Sequence, residues 1–213
     1  MRLRTQNGCR PRSFRTFSVV EKSMNKSYTE DQQFDSIDFA AHKLSFTEYE
    51  SCQFNHCNFS MLDLSSFQFV DCTFNNCDLS NAKLQRTTFN DVRFTGCKLL
   101  GLHFEDCSDF LFTVSFEACT LDYSSFYGRQ LKKTGFNKTS LQQVDFTDAD
   151  LTGSTFDHSN LAKAIFDNTV LEKVDFRTAL HYSINPERNK LKKAKFDRLG
   201  LAGLLDKYDI SIF

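Results

Sequence analysis

From Leu111 to Phe176 every fifth residue is Leu or Phe in strict alternation: Leu111, Phe116, Leu121, Phe126, Leu131, Phe136 and onward to Leu171 and Phe176. An α-helix renews its apolar face about every 3.6 residues and a strand every second residue, so a period of five suits neither. The backbone must turn once per repeat. Upstream the same period runs from Phe34 through Phe39, Leu44, Tyr49, Phe54 and Phe59 to Phe104, and the two frames together hold twenty-nine slots, each filled by Phe, Leu or Tyr. Seven residues separate Phe104 from Leu111, so two residues are inserted within the EDCSDF segment, Glu105 to Phe110.

The number of repeats per coil follows from which residues would stack. With three repeats, residues fifteen apart would meet and Phe116 would lie on Leu131. With four, residues twenty apart meet and the columns become uniform, with Phe116, Phe136, Phe156 and Phe176 in one and Leu111, Leu131, Leu151 and Leu171 in another. Two repeats leave no interior, and six enclose a hole that these side chains cannot fill. The expected architecture is therefore all-β, a four-sided parallel coil of about twenty residues per turn. Coils that hydrogen-bond as neighbouring strands, about 4.8 Å apart, would make a rod roughly 35 Å long with a stacked core and no pocket. Each buried Phe or Leu contributes on the order of 1.5 to 3 kcal/mol against the entropy of ordering the chain.

Composition agrees with one ordinary domain. The chain has 213 residues, 40% hydrophobic and 25% charged, and 24 Phe with no Trp. Sixteen of those Phe residues sit in the slots. No apolar run reaches the eighteen or so residues that span a bilayer, and no apolar secretory leader opens the chain, so the protein is read as cytoplasmic. Seven of the 8 Cys residues, Cys52, Cys57, Cys72, Cys77, Cys97, Cys107 and Cys119, lie two places before a slot, a position held elsewhere by Ala, Ser, Thr and Val. There they act as small inward-facing apolar groups, since metal binding would want C-x-x-C pairs and none is present.

Met1 to Ser23 is set apart. It carries Arg2, Arg4, Arg10, Arg12, Arg15 and Lys22 against Glu21 alone and shows no repeat phase. Either a transit peptide or a start codon upstream of Met24 accounts for it, and both leave residues 1–23 disordered. The whole chain has a net charge of −1 and this segment contributes +5, which leaves −6 on residues 24–213. The repeat array is expected over 24–178. The remainder, 179–213, would hold a turn around Pro186, a last partial coil at Leu191 and Phe196, and a short α-helical cap. Leu201, Leu204, Leu205 and Tyr208 would share one face of that helix, and with Ile210, Ile212 and Phe213 they are the candidate cap and dimer contacts.

CDLSN at Cys77, AKLQR at Ala82, ADLTG at Ala149, SNLAK at Ser159 and VDFRT at Val174 resemble the pentapeptide-repeat family, a small residue followed by Asp or Asn and then Leu or Phe. The resemblance implies a right-handed quadrilateral β-helix. It also implies, by similarity to quinolone-resistance members, an acidic DNA-mimicking rod that binds DNA gyrase or topoisomerase IV and dimerises through its C-terminal cap. The alternative is a scaffold for an unrelated protein partner. Nothing in the sequence asks for a cofactor, metal or direct nucleic-acid contact. His42, His56, His103, His158 and His181 lack metal-ligand spacing, and no G-x-S-x-G, phosphate loop or H-E-x-x-H is present. Asp38, Asp63, Asp78, Asp145, Asp150 and Asp175 recur one place before a slot, where turn geometry accepts their bonds to backbone. The chain is therefore expected not to be an enzyme.

Overall fold

The structure is a computed structural model and describes residues 28–41, 44 and 47–211. The five-residue period bends the chain into a four-sided parallel coil, and like side chains pile up along its axis. Rings of one column, Phe34, Phe54, Phe74, Phe94, Phe116, Phe136, Phe156, Phe176 and Phe196, stack with centroids 4.7 to 5.5 Å apart. The sides of the rod are named here by their first slot, the Phe34, Phe39, Leu44 and Tyr49 walls. The last two continue as Leu64, Leu84, Phe104, Phe126, Phe146 and Phe166, and as Phe69, Phe89, Leu131, Leu151 and Leu171.

Two walls carry short strands. On the Tyr49 wall β1 (Tyr28–Glu30), β3 (Glu48–Glu50), β5 (Gln68–Val70) and β7 (Thr88–Asn90) form a four-stranded parallel sheet. On the Phe34 wall β2 (Gln33–Asp35), β4 (Gln53–Asn55), β6 (Thr73–Asn75), β8 (Val92–Thr95), β9 (Val114–Glu117) and β10 (Phe136–Asn137) form a six-stranded one. Elsewhere the coils pair through single parallel bridges such as Asp145↔Ile165.

An Asp or Asn just before a slot favours the turn over the strand. Its carboxylate or amide oxygen accepts the backbone N–H two residues on, as Asp63 does from Ser65, Asp78 from Ser80, Asp145 from Thr147 and Asn160 from Ala162. That bond closes a turn at the expense of a strand. Where the residue before the slot is Gln53, Thr73, Gln68 or Thr88 no such bond forms and the segment stays extended. Two residues after the slot the chain rounds a corner in the left-handed region, with Asp71, Asn76, Lys133 and Lys173 all at positive φ. Short polar or flexible side chains fill those corners because β-branched ones would strain there.

The inward small position behaves as expected and gains a further role. Cys77 Sγ donates to the Phe54 carbonyl at 3.3 Å and accepts the Cys57 N–H at 3.4 Å. Lower in the rod Ser154 does the same, with its hydroxyl donating to the Leu131 carbonyl and accepting from the Thr134 N–H. Thiol and hydroxyl thus bridge successive coils in one geometry, and all seven described cysteines are buried and free.

Three expectations change. Leu111 is not a core slot: it is 53% exposed with a φ of 54°. The first frame instead runs on to Asp109, which as a carboxylate is turned out to solvent, and the two extra residues are Phe112 and Thr113. Register confirms this, since Arg86 N–H bonds Asp106 twenty residues on while Val92 pairs with Val114, twenty-two on. Second, after Phe176 the apolar core is continued by Tyr182 and Ile184, one and three residues past the exposed His181. Third, the cap is two 3₁₀ helices, Leu199–Leu204 and Asp206–Tyr208, and not an α-helix. At three residues per turn positions i and i+3 eclipse, so Gly200 and Gly203 both lie on Tyr182. A Cβ at Gly203 would come within 2.2 Å of the Tyr182 carbonyl oxygen.

Candidate partner-binding surfaces

With the interior filled, only the walls, the break in the array and the two ends can meet another molecule. Among the described residues no group of three or more His, Cys, Asp or Glu is placed to hold a metal ion. Surface depressions are shallow. One at the C-terminal end lies between Tyr182 and the Leu199–Leu204 helix, and another near Asp157, Asp175 and Arg177 is lined by groups already bonded to each other.

Charge divides unevenly among the walls. Acids and bases are evenly mixed on the Phe34 wall, for example Glu117, Asp157 and Asp175 with Arg93, Lys138, Arg177 and Lys195. The Leu44 wall is acidic: Asp63, Glu105, Asp106, Asp145, Asp148, Asp167 and Glu187 stand against Lys83, Arg86 and Arg188. Arg188 pairs with Asp167, and Glu187 is held below the usual carboxylate range by its hydrogen bond from Lys207.

The break at Cys107–Thr113 is organised by one residue that pattern reading passed over. Arg129 stands two places before Leu131, in the inward position held mostly by small residues, and is only 4% exposed. Its guanidinium donates to the Cys107 carbonyl at 3.1 Å, the Ser108 carbonyl at 3.0 Å and the Asp109 carboxylate. It also lies 4.1 Å over the Phe112 ring. The coil that lost its slot residue to solvent is thus refilled by a ring and a cation, and the Cys107 and Ser108 carbonyls of the irregular backbone are met by the guanidinium. Burial, opposed by Arg129, pushes the Cys107 thiol up to about 12. The signal was available in the sequence as the one large charged residue in a column of mostly small ones. At the tip of the break Phe110, 72% exposed, and Leu111 project outward.

Two family descriptions match the chain, a pentapeptide repeat region over residues 67–146 and pentapeptide repeats (8 copies) over residues 139–177, together more than half its length. The protein belongs to the pentapeptide-repeat family. No curated protein sequence matches this pentapeptide-repeat chain. Among solved structures it is similar to a trypsin-treated form of QnrB1, a plasmid-mediated fluoroquinolone resistance protein, at 20% identity and a TM-score of 0.60, covering 91% of this chain and 95% of that one. It is also similar to HetL, a pentapeptide-repeat protein involved in heterocyst differentiation regulation from the cyanobacterium Nostoc, at 16% identity and a TM-score of 0.56, covering 80% and 86%. At these identities the likeness is one of fold.

The described residues expected from sequence as cap and dimer contacts lie at the C-terminal end of the pentapeptide-repeat rod. Leu204 packs against the core, while Leu201, Leu205, Tyr208 and Ile210 are exposed. Ile212 and Phe213 lie outside the described residues, as do residues 1–27 and His42. Leu199, which the helical pattern did not single out, is 90% exposed beside them. Tyr208 donates to Glu187 at 3.1 Å, tying the cap to the acidic wall. No helix among the described residues is long and apolar enough to cross a membrane.

Proposed function

We propose that this chain is a non-enzymatic, cytoplasmic protein-binding rod that engages a type II topoisomerase, DNA gyrase or topoisomerase IV, through its acidic Leu44 wall and so modulates quinolone action. The observation that carries the reading is the excess of carboxylates over cations along the whole described length of one wall of a pocketless solenoid. A wall of one sign steers toward a basic partner surface, and DNA-binding grooves of topoisomerases are basic. Similarity of fold to a fluoroquinolone resistance protein supports the same partner. The exposed cap residues Leu199, Leu201, Leu205, Tyr208 and Ile210 would join two such rods end to end.

Charge density favours one second reading. From the Asp63 level to the Glu187 level are six coil steps, roughly 29 Å at about 4.8 Å each. B-form DNA would present about 17 phosphates over that length. The wall offers seven carboxylates and three cations. It is therefore a sparse imitation of DNA, and a scaffold that binds an unrelated basic protein fits it as well. A gyrase supercoiling assay with and without ciprofloxacin, paired with direct binding at micromolar protein, separates the two. Protection or inhibition that is lost on Asp145→Lys with Asp148→Lys supports the topoisomerase; no effect and no binding removes it and leaves the scaffold.

A further inference from the structure

The Tyr49 wall changes sign halfway along. Above the Cys107–Thr113 break its surface and outer corner carry Glu30, Asp31, Glu48, Glu50, Asp71 and Asp91, with no Lys or Arg across 28–31, 48–51, 68–71 and 88–91. Below the break, across 130–133, 150–153, 170–173 and 190–193, stand Lys132, Lys133, Lys173, Lys190, Lys192 and Lys193 against Asp150 and Glu172. The six Lys are exposed, and so are Glu30, Asp31, Glu50, Asp71 and Asp91. Within the chain Asp91 pairs with Arg93 and Asp150 with Lys132, but among the described residues the other Lys and acids of this wall make no ion pair. Four coil levels lie on either side of the break, so acidic and basic halves are of equal length.

We infer that this wall is a self-complementary docking surface for a second copy of the same chain, laid antiparallel about a two-fold axis through the Cys107–Thr113 break. The operation sets Asp91 against the partner copy's coil of Lys132 and Lys133, and Glu30 and Asp31 against the coil of Lys192 and Lys193. An isologous contact of this kind satisfies both halves at once. A parallel arrangement would instead set carboxylates on carboxylates and Lys on Lys. At the axis each copy presents Phe110 and Leu111, the exposed apolar pair that Arg129 holds in place from below. The wall thus has an apolar centre and charged wings, the arrangement of a protein–protein contact rather than of a merely solvated face.

Size sets the strength. Eight coil steps of about 4.8 Å by five residues of about 3.3 Å give a strip on the order of 600 Å² per copy. Doubled, that reaches the lower bound of about 1,200 Å² for specific association, so the pair is expected at tens of micromolar and to be salt-labile. The contact runs along the rod's side and uses neither the cap nor the Leu44 wall, so it stands whether or not a topoisomerase binds.

Sedimentation velocity of the full chain at ~50 μM in ~50 mM and ~500 mM NaCl reads the association directly. One variant makes the wall predominantly basic, Glu30→Lys, Asp31→Lys, Glu50→Lys and Asp71→Lys; another makes it predominantly acidic, Lys132→Glu, Lys133→Glu, Lys192→Glu and Lys193→Glu. Dimer at low salt, monomer for each variant alone, and dimer again on mixing the two in equal amounts is the expected result, with circular dichroism unchanged because every altered residue is exposed. Recombination on mixing cannot come from misfolded chains. Wild-type protein that stays monomeric at low salt overturns the inference. So do swapped variants that still dimerise, variants that fail to recombine, and a dimer lost only on Leu199→Asp with Leu205→Asp, which would place the contact at the cap.

Discussion

Upstream of the Cys107–Thr113 break and downstream of it, two rings of the rod hold two Phe and two Leu each, in different places. The ring of Phe69, Phe74, Leu79 and Leu84 sets its two aromatics on adjacent walls, with centroids 5.3 Å apart and planes at 72°. The ring of Leu131, Phe136, Leu141 and Phe146 sets them on opposite walls, 5.9 Å apart at 81°. Both are edge-to-face contacts worth about 0.5 to 1.5 kcal/mol beyond burial. Between these two rings the interior keeps the same four side chains and changes only which walls supply the large ones. Walls differ too. The upper half has eight of the ten strands, whereas Asp- or Asn-closed turns occur in both halves, at Asp38, Asn58, Asp63 and Asp78 above and at Asp145, Asp150, Asn160 and Asp175 below. Just ahead of the break the aromatic column passes from the Tyr49 wall, where its last ring is Phe89, to the Leu44 wall, where its first is Phe104.

Phe136→Asp should have the largest effect and test how independent the halves are. It places a carboxylate among Phe116, Phe126, Phe146 and Phe156 with no partner, a cost of several kcal/mol that the ring cannot relax away. Because each coil touches only its neighbours, damage should stay local before it spreads. Hydrogen exchange should show protection lost over residues 114–196 and kept over 48–94. Uniform loss along the rod would show one cooperative unit, and an unchanged melting temperature would contradict the placement of Phe136 in the core.

Arg129→Met comes next, at about 2 to 4 kcal/mol. The substitution keeps apolar bulk over Phe112 but leaves the Cys107 and Ser108 carbonyls without their charged donor, each such bond being worth about 1.5 to 3 kcal/mol. Since Asp109 is exposed, no buried charge is stranded. Calorimetry should resolve one wild-type transition into two as the halves uncouple. A single transition lowered in temperature would mean that the Phe112 ring alone joins them.

How far the chain could be read without coordinates follows the same division. The period, the four-sided coil and the inward small position were legible because regular repetition makes stacking the only way to bury the slots. Leu111 and Arg129 misled for the opposite reason. An insertion is visible only as a change of phase, and phase alone does not say that Asp109 leaves the core, that Phe112 enters it, or that a cation from the next coil completes it. The cap failed on helix type, since LGLAGL suits three residues per turn only once Tyr182 is known to lie under Gly200 and Gly203. The charge reversal of the Tyr49 wall was hidden because net charge of the whole chain cancels it.

Acid should separate the halves more gently. Thr178 donating to Asp157 and Arg177 donating to Asp175 hold both carboxyls below the ordinary range. At Asp150 burial acts upward but is outweighed by hydrogen bonds from Thr152 and by Lys132. Upstream, Asp63 is lowered by its hydrogen bonds from Ser65. A carboxyl whose folded value is depressed contributes stability above its unfolded value of about 3.9 and loses it as pH falls through the folded one. Below about pH 4 the lower half should therefore loosen first, read as earlier proteolysis within residues 114–196 than within 48–94. Upstream cleavage first would reverse the assignment.

Asp148→Lys should be the smallest effect, and its smallness is informative. Asp148 sits at an outward corner with φ at 59°, accepting from the exposed Asn168 amide. Lys occupies the same kind of corner at Lys133, Lys138, Lys163 and Lys173, so the backbone tolerates it. An exposed pair of this sort is worth about 0 to 1 kcal/mol, and a shift of no more than roughly 2 °C in melting temperature is expected. Reversing a charge there should nonetheless weaken binding of a basic partner to the Leu44 wall, because two units of charge change where the wall is most acidic. A stability loss comparable to that of Arg129→Met would mean the corners, and not only the slots and the break, hold the coils in register.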